Sequence, residues 1–162
     1  MPTTEEHMSV HVQAFMATRL YTVRPDDPIY DVVQQLVKRG FSGAPVVQGS
    51  RLVGVISEKD CIRALMRAVV DQLPPSRVSD VMTSEVITVS PTTSLLTAAH
   101  HFLQHPIRRL PVVDEKKRLL GQVSRRDLLR HAVKVFEVKG DRRSALLYLS
   151  AIKGTVPPVE RR

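Results

Sequence analysis

The chain has 162 residues, 43% of them hydrophobic and 25% charged, with a formal net charge of +8. That length suits one compact domain or two small repeats sharing a core, and the composition excludes wholesale disorder and collagen-like structure. No apolar run approaches the roughly 20 residues needed to cross a bilayer. The opening stretch, MPTTEEHMSV, lacks the basic-then-apolar pattern of a secretory signal. Cys61 is the one cysteine, which excludes an internal disulfide and a multi-cysteine zinc site. A cytoplasmic location is expected. The surplus of 24 Lys and Arg over 16 Asp and Glu implies a phosphate-bearing or acidic partner. With no tryptophan, three tyrosines and four phenylalanines, base-stacking platforms for single-stranded nucleic acid are scarce.

In chain order, the first expected element is an extended piece up to Pro25, since proline disfavours helix in the residue before it. A helix follows, with Asp27 as its cap and Pro28 in the first turn. Ile29, Val32, Val33, Leu36 and Val37 form its apolar stripe, and it ends before Gly40. Ala44–Val47 and Leu52–Ile56 read as two strands of a hairpin. A last helix starts after Ser57, with Ile62, Leu65, Met66 and Val69 as its expected buried face. The linker 71–79 carries Pro74-Pro75.

The order then repeats. Thr22-Val23-Arg24-Pro25 returns as Thr88-Val89-Ser90-Pro91, Met16 as Met82, and Pro45-Val46-Val47 as Pro111-Val112-Val113. After one inserted residue in the polar turn at Asp114–Lys117, Gly54, Ser57, Asp60 and Arg63 match Gly121, Ser124, Asp127 and Arg130. The second copy's first stripe is Leu95, Ala98, Ala99, Phe102 and Leu103, ending before Pro106. Its strands are Leu110–Val113 and Leu119–Val123, and its last helix expects Leu129, Ala132, Val133 and Phe136 on the buried face. This is a tandem duplication. A lead-in segment precedes each copy, because Val12 matches Val78. The predicted organisation is repeat one over 12–70, linker 71–79, repeat two over 78–138 with its lead-in overlapping the linker, and an extension over 139–162. Ser144–Ile152 is a candidate short helix there. The fold class is α/β (α+β): two strand-helix-strand-strand-helix repeats packed sheet to sheet, since one unit of roughly 55 residues buries too little surface alone.

The runs Val78-Ser79-Asp80-Val81-Met82-Thr83, Thr88-Val89-Ser90-Pro91, Arg109–Asp114 and Gly121–Asp127, with their counterparts in the first copy, resemble the tandem cystathionine β-synthase (CBS) domain pair, or Bateman module. The resemblance covers about 12–138. Copy one departs from it at Ala14-Phe15, where an acidic and an aliphatic residue are usual. It implies a regulatory module that binds an adenosine-containing molecule (AMP, ADP, ATP or S-adenosylmethionine) in the cleft between repeats. It implies no required cofactor and no catalysis, and an unidentified regulated protein as partner. The rivals are a basic nucleic-acid-associated protein, which no recognisable binding motif supports, and a nucleotide-acting enzyme, for which no acid–base constellation exists.

Ser57…Asp60 and Ser124…Asp127 each open a helix, and their spacing is that of a capping box. By local physics the cap is the simpler reading. The resemblance adds another, in which each aspartate accepts from a ribose diol while the helix amides face phosphate. It assigns Ser124, Asp127, Arg108 and Arg109 to the better-equipped site, with Thr18, Leu20, Tyr21, Ser42, Gly43 and Ala44 contributed by the other copy. A weaker site would use Ser57, Asp60, Ser84, Val86 and Ile107. Arginine's planar fork suits phosphate at 108 and 109, where copy one has Ser42 and Gly43. His100, His101 and His105 read as residues of a solvated helix end, with no metal expected. Ser124, Asp127 and His131 hold the letters of a catalytic triad, with Asp127 spaced to pair with His131, but without triad geometry. Cys61, beside Asp60 at a helix start, has either a lowered pKa or, as its match to Leu128 favours, a plain core or boundary role. Apolar residues on more than one helix face, among them Met66, Ala68, Val69, Val70 and Leu73, predict a homodimer.

Overall fold

The computed structural model describes residues 10–137 except Pro75, so the extension over 139–162 and its expected helix lie outside the described residues. A 3-10 turn at Val12–Ala14 comes first. Then follow α1 (Ile29–Arg39), β1 (Gly43–Gln48), β2 (Arg51–Ser57) and α2 (Glu58–Val70). The second copy contributes α3 (Val78–Val81), α4 (Leu95–Gln104), β3 (Arg109–Val113), β4 (Leu119–Ser124) and α5 (Arg125–Glu137). Each copy has one antiparallel hairpin, β1 with β2 and β3 with β4. The expected leading strands shrink to single parallel bridges, Val23 with Val46 and Val89 with Val112.

Helix α1 stops where expected. Gly40 takes a left-handed φ of 66° and its N–H closes onto Leu36 and Val37 carbonyls, a conformation glycine adopts without a Cβ penalty. Its start differs from expectation: Pro28 is the cap residue and Asp27 makes no cap bond. The Asp27 carboxylate accepts instead from the Arg24 N–H at 2.7 Å, closing the turn before the helix.

The chain divides into two compact units that interleave the repeats. One gathers the described residues up to Thr18, Val89–Val112 and the described residues from Gly121 on; the other holds Arg19–Thr88 and Val113–Leu120. Each lead-in therefore docks on the other copy. In the first unit Val12 N–H donates to Thr93 O (2.9 Å) and Leu95 N–H to Val10 O (2.8 Å). In the second, Val78 N–H donates to Asp27 O (3.0 Å) and Ile29 N–H to Ser76 O (3.0 Å). The lead-ins then run antiparallel to the hairpins, Ala17 opposite Gln122 and Thr83 opposite Val55.

Those crossings explain two glycines in register with each other. A Cβ on Gly54 would lie 2.7 Å from Met82 Sδ and 3.0 Å from Thr83 O; one on Gly121 would lie 2.6 Å from Met16 Sδ and 2.8 Å from Ala17 O. The repeated methionine and the repeated glycine are one contact, made twice. Around it the second unit buries Val23, Ile29, Val32, Leu36, Val46, Ile56 and Val78. The first unit buries Val12, Val89, Leu95, Ala98, Phe102, Leu110, Val112 and Val123. Each of these Val, Leu, Ile and Phe side chains contributes about 1.5–3 kcal/mol relative to leaving it in water.

The last helices are rotated relative to expectation. On α2 the buried residues are Asp60, Cys61 and Ala64, whereas Ile62 is 62% and Val69 76% exposed, and Leu65 and Met66 also face out. On α5 Leu129 and Val133 are exposed and Ala132 is half-buried; the Phe136 side chain lies outside the described residues. Small residues face the sheet because they let the helix lie close to it, and the larger apolar ones are left on the outer face.

Candidate functional site

Both Ser-x-x-Asp motifs form the same box. Ser57 is the cap of α2, its Oγ accepting from Asp60 N–H at 3.2 Å. In return Asp60 Oδ2 accepts from Ser57 N–H at 2.9 Å and from Ser57 Oγ–H at 2.7 Å. In the second copy the same three bonds are 3.1, 2.9 and 2.7 Å, between Ser124 and Asp127. The cap is thus real in both copies. It uses only one oxygen of each carboxylate. The other, Oδ1, faces an arginine one turn on: Arg63 Nη1 at 3.4 Å from Asp60 and Arg130 Nη1 at 3.5 Å from Asp127. The arginine side chains are themselves more than half exposed, so these ion pairs are weak and replaceable. The geometry leaves each carboxylate an acceptor oxygen at the start of a helix, beside the positive end of its dipole.

The two arginines were visible as a repeated residue three positions after the aspartate, but only the structure gives them a role. A second unforeseen contact is Arg125 Nη2 donating to Ile107 O at 2.8 Å, which ties the start of α5 to the segment carrying Arg108 and Arg109. The corresponding tie in copy one is a main-chain bond, Glu58 N–H to Ser42 O at 3.0 Å.

Thr18, Arg108, Arg109, Ser124 and Asp127 of the first expected set lie in the first unit, and Leu20, Tyr21, Ser42, Gly43 and Ala44 in the second. The bridge from Ala17 to Gln122 brings Thr18 to the strand that ends at Ser124. In the weaker set, Ser57, Asp60, Ser84 and Val86 share the second unit, Ser84 following the Thr83–Val55 bridge, and Ile107 lies in the first. Tyr21 packs on the core, with the Arg39 guanidinium 4.8 Å from its ring centroid and Phe41 at 6.3 Å. Burial pushes its phenol pKa up, opposed by Arg39 and assisted by Asp27.

The triad spacing comes apart. Asp127 turns to Ser124 and Arg130, while the His131 ring stacks on Phe15 with centroids 4.9 Å apart. Phe15 is one of the two residues, with Ala14, at which copy one departs from the pattern of the resembling family. The Cys61 thiol is buried, and its pKa is pushed up rather than down, first by desolvation and then by Asp60 and Glu58. His101 stacks on His105 at 6.1 Å, and burial, then His105 and His100, pull its pKa down. Among the described residues no three His, Cys, Asp or Glu side chains are gathered to hold a metal ion.

Residues 12–67 and 78–134 each match the family model for the CBS domain. The chain belongs to the CBS domain family. The chain is similar to the solved structures of CBSX2, a CBS-pair protein of Arabidopsis thaliana. The AMP complex is 32% identical with a TM-score of 0.69, covering 77% of this chain and 97% of that one. The CBS domain-containing protein YhcV of Bacillus subtilis is 33% identical over 118 residues, 72% of this chain and 81% of its own length. Other curated relatives are longer. This CBS pair spans 23% of an inosine-5'-monophosphate dehydrogenase of Korarchaeum cryptofilum, 30% identical over 116 residues that make up 72% of the chain. It spans 45% of a protein of Methanocaldococcus jannaschii at 28% identity over 128 residues, 78% of the chain. Among the described residues no helix is long and apolar enough to cross a membrane.

Proposed function

We propose that this CBS pair is a regulatory module that binds an adenosine-containing metabolite and reports its occupancy to a separate protein, with no catalytic residue of its own. The observation that carries the reading is the divided carboxylate: Asp60 and Asp127 each spend Oδ2 on a helix cap and keep Oδ1 against an exposed arginine. A ribose diol can displace such a pair and donate to that oxygen. CBSX2, similar over nearly its whole length, was solved with AMP, which supports an adenine nucleotide as the ligand. The better-equipped site uses Ser124 and Asp127 with Arg108 and Arg109 for phosphate, and Thr18, Leu20, Tyr21, Ser42, Gly43 and Ala44 for the remainder. The weaker one uses Ser57, Asp60, Ser84, Val86 and Ile107. The exposed apolar side chains of α2 (Ile62, Met66, Val69, Val70) and of α5 (Leu129, Val133) support a homodimer. A cytoplasmic setting agrees with a single unpaired cysteine.

A thermal-shift panel of AMP, ADP, ATP, S-adenosylmethionine and NAD tests the reading, because a ligand that binds only the native state raises the melting temperature. At 100 times Kd the gain is about 2.7 kcal/mol. Silence across the whole panel at millimolar concentrations overturns it. Light scattering tests the dimer, and a persistent monomer mass at high micromolar concentration removes that part.

A further inference from the structure

The duplication allows one turn to be read through the other. Lead-in and turn meet through the same main-chain bonds in both units. Gln13 N–H donates to Pro91 O (3.1 Å) where Ser79 N–H donates to Pro25 O (2.9 Å), and the Val12 and Leu95 bonds match those of Val78 and Ile29. The bridge of His11 with Ser94 likewise matches that of Arg77 with Pro28. With the backbones in register, Arg24-Pro25-Asp26-Asp27-Pro28 corresponds residue by residue to Ser90-Pro91-Thr92-Thr93-Ser94. Thr93 already does what Asp27 does: its Oγ1 accepts from Ser90 N–H at 3.0 Å, as Asp27 accepts from Arg24. Ser94 is occupied as the cap of α4, accepting from Thr97 N–H at 3.1 Å. Thr92 takes the place of Asp26, and Asp26 pairs with Arg77 across the lead-in at 3.2 Å. The residue in Arg77's place is His11.

We propose that Thr92 is a phosphorylation site, and that its phosphate is received by His11 as the Asp26 carboxylate is received by Arg77. Repeat one carries the anion permanently in this turn; repeat two carries a hydroxyl that acquires it. Thr92 is exposed, and among the described residues its hydroxyl bonds to Ser90 Oγ alone, at 3.2 Å. It is therefore accessible to a modifying enzyme, unlike the hydroxyls committed to the turn and the cap. The donor is a nucleoside triphosphate brought by a Ser/Thr kinase. Thr92 Oγ1 forms the new bond to the γ-phosphorus, the bond to the β–γ bridging oxygen breaks, the nucleoside diphosphate leaves, and the hydroxyl proton passes to the kinase's base. The product carries about −1.5 to −2 charges where Asp26 carries one, and it reaches farther from the backbone than a carboxylate, which offsets the shorter reach of imidazole. Forming this contact fastens the lead-in Val10–Ala17 to the second repeat.

The test has two arms. The chain isolated from its native cells with phosphatase inhibitors should yield the tryptic peptide 78–108 with one phosphate, assigned by fragmentation to Thr92. Separately, full-length chain with phosphothreonine installed at 92 should melt about 2 °C above the unmodified chain, and the gain should vanish with His11→Ala. Thr92→Asp with His11→Arg, which copies the pair of repeat one, should melt higher than the two single variants added together. A phosphothreonine chain that melts like the unmodified one, or equally raised with and without His11, overturns the assignment of the receiver. A native chain bearing phosphate only on other hydroxyls, or none across growth conditions, overturns the site.

Discussion

Replacing Asp127 by Asn separates its two duties. The capping oxygen Oδ2 accepts two hydrogen bonds from Ser124, at 2.9 and 2.7 Å, and Asn can offer its one carbonyl oxygen to the same pair. What the cap loses is charge: about 0.5–1.5 kcal/mol in weakened hydrogen bonds and about 0.3–1 kcal/mol in the helix-dipole interaction. The ion pair with exposed Arg130 adds little. A loss of about 1–2 kcal/mol corresponds to a fall in Tm of about 2–8 °C for a chain of this size. On the ligand side the substitution turns an amide nitrogen toward the position of the ribose. Removing charged acceptance there costs about 1.5–3 kcal/mol, or about 10- to 150-fold in affinity. Isothermal titration with AMP and a thermal melt of the same preparation read the two effects independently. Ser124→Ala removes the cap hydroxyl while keeping the carboxylate charge, and is expected to lose about 1 kcal/mol of stability. Should Asp127→Asn bind AMP as the parent does while melting earlier, the aspartate is a cap and nothing more.

Three further outcomes follow from the packing. Gly121→Ala drives a methyl into Met16 Sδ and the Ala17 carbonyl; since a main-chain oxygen cannot step aside, stability should fall by about 1–3 kcal/mol in denaturant melts, and no change would mean that the crossing is looser than drawn. Ala14→Asp supplies the acceptor that Asp80 provides to Arg77 N–H at 2.8 Å in the other lead-in, so it should stabilise by about 0.5–1 kcal/mol; a neutral result would show that the 3-10 turn has no use for a cap. The Asp114 carboxyl is held below its ordinary pKa, first by the N–H of Arg118 and then by the Arg118 side chain and Lys116 N–H. A carboxyl depressed by folding stabilises above its unfolded pKa near 3.8 and loses that contribution as pH falls through its lower folded value. The advantage of the parent over Asp114→Asn in stability should therefore be constant near neutrality and fade in acid below about pH 4. An advantage that grows in acid contradicts the sign.

The hairpins, the helix order and the duplication were legible because β-branching, proline and glycine act locally. Gly40 ends α1 for a reason contained in one residue, and Ser57 and Ser124 cap helices for reasons contained in four. The face of α2 was not legible. Its apolar residues surround the helix, so periodicity offers no single stripe, and the burial of Cys61 and Ala64 in place of Ile62 and Met66 is decided by how closely the helix approaches its sheet. Nor could Asp27 be assigned, since a carboxylate next to a helix start can serve the turn before it as well as the helix after it. The candidate site divides the same way. Both Ser–Asp pairs were evident from their repetition, whereas Arg63, Arg130 and Arg125 acquired roles only once the helix turn and Ile107 O were in place. Matching residues reveal that two lead-ins are equivalent; they do not reveal that each belongs to the other copy.

That exchange of lead-ins has a consequence on the ribosome. The segment at Val10–Gln13 finds its partners only when Pro91, Thr93 and Leu95 have left the exit tunnel. At about 5–20 residues per second, about 1–5 seconds pass in which the first repeat has emerged whole and its own leading edge still has nowhere to dock. Val78, which follows the first repeat closely, docks on it early in that interval, whereas Val12, fully buried in the finished fold, waits for the second repeat. The lead-in at Val78 therefore docks before the one at Val12, although it comes later in the chain.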